Sequence, residues 1–111
     1  MGQFVRGDVV VVNFPFSDLS QTTRRPALVI AALKGDDVIL CQITSQARAD
    51  EYSVGLDGRD FVSVGLNQSS KIRPNMLFTA GAGIVVYTAG RVSDVKLNEV
   101  VDRLIGIVKQ A

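Results

Sequence analysis

The sequence predicts a mainly β fold, a small barrel of short antiparallel strands with one C-terminal amphipathic helix. Short β-branched runs recur between Val9 and Val92, and glycine-containing turns punctuate them. Only beyond Ser93 does the apolar pattern change to the helical period of about 3.6 residues.

The elements follow in order. Arg6-Gly7-Asp8 sets a turn before Val9-Val10-Val11-Val12, so the first strand spans Asp8 to Phe14. Phe16 to Arg24 is polar and lacks either periodicity, which predicts a loop. Pro26 lacks a ladder donor and biases Arg25 towards extended geometry, placing Arg25 where loop becomes strand. Lys34-Gly35-Asp36-Asp37 is turn chemistry, pairing Pro26–Leu33 with Val38–Ser45 as a hairpin. In its second arm Ile39, Cys41 and Ile43 alternate with Leu40, Gln42 and Thr44, so Gln42 and Thr44 share a face. Further strands are expected at Tyr52–Val54, Phe61–Leu66, Lys71–Arg73, Met76–Ala80 and Ile84–Val92, with turns at Gly55–Arg59 and Gly81–Gly83. Leu97, Val100, Val101, Leu104, Ile105 and Val108 then form one helical stripe, capped by Ser93 or Asp94.

Composition narrows the function. A chain of 111 residues holds one hydrophobic core, so residues 1–111 read as a single domain. Its 47% hydrophobic and 21% charged residues exclude a disordered chain. A net charge of +1 names no partner. The longest apolar stretch, Ala27 to Leu33, is 7 residues where a membrane span needs about 20. Cys41 is the one cysteine and no leader pattern opens the chain, which fits a reducing cytoplasm. Histidine is absent, removing the usual general base, nucleophile activator and metal ligand together.

Few chemistries remain. Asp36-Asp37 and Asp57/Asp60 sit in turns, where carboxylates serve turn geometry, and Gly81-Ala82-Gly83 reads as a hairpin turn. Cys41 alternates onto an apolar face with nothing to activate it. What is left is guanidinium and hydroxyl groups: Arg24, Arg25, Arg73 and Arg91, with threonines and serines including Thr44 and Ser45. Arginine forks grip phosphate, and a fixed cation beside phosphorus stabilises the charge that develops as an oxygen attacks. Arginine is also an ordinary surface residue and threonine an ordinary strand former, so the residues alone leave a phosphate site and a bland surface both open.

Four segments carry a resemblance. Arg6-Gly7-Asp8-Val9, Arg25-Pro26-Ala27-Leu28-Val29-Ile30, Gln42-Ile43-Thr44-Ser45-Gln46 and Gly90-Arg91-Val92-Ser93, in this order and spacing, resemble the MazF/PemK family of toxins. The match spans essentially the whole chain. It implies an SH3-like barrel and a homodimeric, sequence-specific endoribonuclease that cuts single-stranded RNA, mRNA included, without a metal or other cofactor. It also implies a cognate antitoxin whose flexible acidic tail lies across the RNA groove. By resemblance the catalytic residues are Arg25 and Thr44, acting while the 2′-hydroxyl attacks the adjacent phosphate to leave a 2′,3′-cyclic phosphate. Arginine is a poor base, so the proton acceptor stays open. Phe16, Arg24, Ser45, Gln46, Arg73 and Asn75 are the expected RNA contacts, Phe16 as a base stacker. Asn75 stands where some relatives carry an acidic residue. Two other readings are a gyrase-poisoning toxin of the same fold and a non-catalytic SH3-like binding module.

Overall fold

The computed structural model describes residues 4–15, 22–45, 50–66 and 69–110. Seven strands form one antiparallel sheet: β1 (Asp8–Pro15), β2 (Thr22–Ala32), β3 (Asp37–Thr44), β4 (Val54–Leu56), β5 (Phe61–Val64), β6 (Ser70–Gly81) and β7 (Val85–Val92). Their order across the sheet is β4-β6-β3-β2-β1-β7-β5, which makes β4 and β5 the edges of a curled half-barrel. Helix α1 (Asp94–Lys109) follows, and the Ser93 hydroxyl caps it by accepting from Lys96 N at 3.1 Å.

Two apolar clusters lie on opposite faces of this sheet, as strand alternation requires. Val9, Leu28, Cys41, Ile43 and Ile72 face α1 and pack with Leu97 and Val100. Val10, Val12, Ala27, Val29, Val38 and Leu40 form the other cluster, covered in part by Phe78, Ile84 and Val85. The helical stripe is buried only in its first half: Ile105 and Val108 stay 46% and 73% exposed. Burial pushes the Cys41 thiol up to about 12, so it stays protonated at neutral pH. We therefore expect no alkylation of native Cys41 at pH 8, and rapid labelling once the chain is unfolded, read by mass spectrometry.

Several boundaries differ from the sequence expectation. Arg24 and Arg25 lie inside β2, not in the loop or at its edge, because they pair with Asn13 and Val12 of β1. The short strand after Tyr52 sits two residues later, at Val54–Leu56, and the expected turn beyond it contains a single-turn 3-10 helix, Gly58–Asp60. Asp57 and Asp60 cap that helix reciprocally. Lys71–Arg73 and Met76–Ala80 are one strand, β6, interrupted where the register jumps from Cys41↔Leu77 to Gln42↔Arg73. Pro74 lies in that bulge, the position a donor-less residue tolerates. Gly81–Gly83 is not a hairpin turn: Ala82–Ile84 is a 3-10 turn linking β6 to β7, which are not neighbours in the sheet.

The first and last resembling segments meet. Asp8 pairs with Arg91 in the β1/β7 ladder, and their side chains form an ion pair at 3.1 Å. Asp8 also accepts from Val5 N at 3.0 Å, and Val92 N donates to Gly7 O at 3.0 Å. Arg6-Gly7-Asp8 and Gly90-Arg91-Val92 therefore clamp the start of β1 to the end of β7. On the adjoining edge Val64 has φ 44°, a left-handed backbone that a β-branched residue occupies at a cost of about 1–2 kcal/mol. Val64 is 87% exposed and loses little packing on replacement. Val64→Asn is expected to raise the melting temperature, and a lower one would show that this conformation carries no strain.

Candidate active site

The chemistry-bearing residues meet at one end of the second face. Val12 pairs with Arg25 across β1/β2, and Ala27 pairs with Gln42 across β2/β3. Continuing that β2/β3 register by two residues sets Arg25 opposite Thr44. Thr44 pairs in turn with Lys71 of β6, and Lys71 with Gly55 of β4. Directly opposite residues share a face, with Cβ atoms about 4.5–5.5 Å apart. One row therefore runs Val12, Arg25, Thr44, Lys71, Gly55. The next row on the same face is Ala27, Gln42, Arg73. The apolar cluster of Val12, Ala27, Val29 and Leu40 thus gives way to a polar end bearing three cations.

Burial and pairing tune these groups. Arg25, Thr44, Gln42, Lys71 and Arg73 are half-buried, which lowers the local dielectric around charges while leaving access from solvent. Arg73 forms an ion pair with Asp50 at 3.3 Å. Asp50 also accepts from Tyr52 N at 2.9 Å, Ser53 N at 2.8 Å and Ser53 Oγ at 2.9 Å. These bonds, with the Ser53 hydroxyl foremost and Arg73 adding its charge, hold the Asp50 carboxyl below its ordinary range. Arg103 of α1 fixes the same segment from behind, its Nη1 donating to the carbonyls of Glu51, Tyr52 and Ser53 at 3.2, 3.3 and 3.4 Å.

Of the residues expected from sequence, Arg25, Thr44 and Arg73 come together here. Arg24 is exposed and, by alternation, faces away with its partner Asn13. Ser45 is exposed just beyond β3. Asn75 is exposed in the β6 bulge, outside the paired register. Phe16 and Gln46 lie outside the described residues. Gln42, Lys71 and Asp50 belong to the site's surroundings and were not among the expected contacts. Gln42 shares the Thr44 face by strand alternation, Lys71 is visible only through cross-strand register, and Asp50 approaches Arg73 from 23 positions upstream.

Among the described residues no group of His, Cys, Asp and Glu gathers that could hold a metal ion, and no helix is long and apolar enough to cross a membrane. A groove of about 540 Å³ lies elsewhere, between α1 and residues 51–52. Its lining includes Glu51, Glu99 and Asp102, whose charges repel an anionic ligand.

A sequence profile described as "PemK-like, MazF-like toxin of type II toxin-antitoxin system" matches residues 5–108. The chain belongs to this toxin family. No curated protein sequence matches it significantly. Solved structures share the PemK/MazF fold over nearly the whole chain. A MazE-MazF structure from Deinococcus radiodurans is 18% identical with a TM-score of 0.77, covering 97% of this chain and 98% of that one. MazF from the same organism is 21% identical with a TM-score of 0.74, covering 96% and 97%. An endoribonuclease in complex with its cognate antitoxin, from a Mycobacterial species, is 15% identical with a TM-score of 0.72, covering 97% of each chain. The PemK/MazF profile spans both segments of the β1/β7 clamp and the polar residues of β2, β3 and β6.

Proposed function

We propose that this toxin is an endoribonuclease that cleaves single-stranded RNA, mRNA included, at short sequence motifs, and that Arg25 and Thr44 carry the reaction. The supporting observation is that a guanidinium and a hydroxyl share one face at a half-buried, solvent-accessible end of adjoining strands β2 and β3, in a chain of a toxin family. A flexible RNA strand lays one phosphate over the row. The 2′-oxygen attacks phosphorus, the new P–O2′ bond forms and the P–O5′ bond breaks. One proton leaves the 2′-hydroxyl and one reaches the 5′-oxygen, with water as the carrier. The products are a 2′,3′-cyclic phosphate and a 5′-hydroxyl. Arg25 donates its fork to the non-bridging oxygens and stabilises the added negative charge of the phosphorane. Thr44 donates one further hydrogen bond and fixes the phosphate for in-line attack.

The same cationic face suits the acidic tail of a cognate antitoxin, which would neutralise the toxin by occupying the RNA site. The reading places the protein in the cytoplasm as a homodimer. Its test is digestion of a long RNA by the purified protein in excess EDTA, with ends mapped by primer extension. Discrete cuts ending in cyclic phosphate are expected. Capture of DNA gyrase with no RNA cutting would replace this reading with a gyrase poison.

A further inference from the structure

We propose that Lys71 is a second cation at the scissile phosphate, on the opposite side of Thr44 from Arg25. This rests on the ribonuclease reading and adds a residue to it. Thr44 and Lys71 are direct partners in the β3/β6 ladder, so both side chains leave the same face. Arg25 lies on the same face on the other side of Thr44, two residues beyond Ala27↔Gln42, the last pair of the β2/β3 register. The hydroxyl is therefore flanked on one face by the ammonium of its ladder partner, about 4.8 Å away across the sheet at the backbone, and on the β2 side by the guanidinium.

Two features of the row suit an anion beside Lys71. Beyond Lys71 the row ends at Gly55, where an added Cβ would meet nothing within 4 Å, so the face is open on that side. Val12 closes the other end of the row, fully buried, which confines an anion to the Arg25–Thr44–Lys71 segment. Lys71 and Arg73 also stand two residues apart on one face of β6, about 6.6 Å along the strand. That separation is comparable to the step between successive phosphates of an extended single strand. The RNA backbone thus runs along β3 and β6, with the scissile phosphate at the Thr44 row and its neighbour at the Arg73 row. A phosphorane carries one more negative charge than the ground state, so a cation at this row acts on kcat and not on binding alone.

The experiment compares wild type, Lys71→Met, Lys71→Gln and Lys71→Arg on a cleavable RNA, and their binding to the same RNA carrying 2′-O-methyl groups, which cannot be cut. Melting temperatures within the series identify any variant that fails to fold, and the two neutral variants guard against losing one. We expect kcat to fall about 100-fold in the neutral variants and to be largely kept in Lys71→Arg. The slope of log affinity against log salt should drop by about 0.7, one single-strand phosphate contact. Unchanged kcat overturns the proposal, and so does a rise in KM at unchanged kcat, which would put Lys71 on a remote phosphate. If wild type binds the methylated RNA but cuts no RNA, the ribonuclease reading fails. The salt slope then still judges Lys71: a drop retains it as a phosphate contact, and no drop removes it.

Discussion

Arg25→Ala is expected to lose RNA cleavage by at least about 100- to 1,000-fold in kcat, the effect of deleting one preorganised donor to a developing oxyanion. The loss should fall mainly on kcat, because the guanidinium meets its full complement of charge only in the phosphorane. Arg25→Lys should recover only part of the activity. It keeps the charge but replaces a planar fork with a point charge, and so loses the bidentate grip on two oxygens. Thr44→Val, similar in shape and still a good strand former, should retain the fold and lose one hydrogen bond to the phosphate. Digestion of a long RNA in EDTA, with melting temperatures recorded alongside, separates these effects. Equal cutting by wild type and Arg25→Ala would remove Arg25 from the site.

The largest expected effect on stability lies far from that row. Gly90 of β7 is buried where β5 crosses most closely, and a Cβ there would stand 2.6 Å from the Ser63 carbonyl oxygen, 3.0 Å from Gly65 N and 3.1 Å from the Phe61 ring. Two of these neighbours are backbone, which cannot swing aside as a side chain does. Gly90→Ala therefore forces β5 off β7, at a cost of about 2 kcal/mol by analogy with overpacked cores. For a domain of this size that corresponds to a fall in melting temperature of about 8 °C. A melting temperature equal to wild type would show that β5 is loosely held. The same glycine begins the Gly90-Arg91-Val92-Ser93 segment, so the four residues divide their work. Gly90 admits the edge strand, Arg91 pairs with Asp8, Val92 fills the core and Ser93 caps α1.

Local signals were the legible ones. The Val9–Val12 run, the alternation from Ile39 to Thr44 and the stripe beginning at Leu97 each state their element through nearest neighbours in sequence, and each forms as expected. Arg25 and Thr44 entered through the resemblance of their segments to a toxin family, because the residues alone left a phosphate site and a bland surface both open. The β2 start was not, because what makes Thr22 to Arg25 a strand is pairing with β1, a contact that no local pattern carries. The bulge at Pro74 likewise reads locally as a break between two strands, yet β3 continues alongside and keeps β6 whole.

By itself, then, the sequence determined the mainly β class, the terminal helix and the lack of histidine. Those properties depend on side-chain type and on period along the chain. Tertiary structure alone decided that Lys71 and Arg73 share a face with Arg25 and Thr44, that Arg24 turns away, and that Asp50 answers Arg73. Register across β2, β3 and β6 sets these meetings, and a shift of one residue would send every one of those side chains to the opposite face.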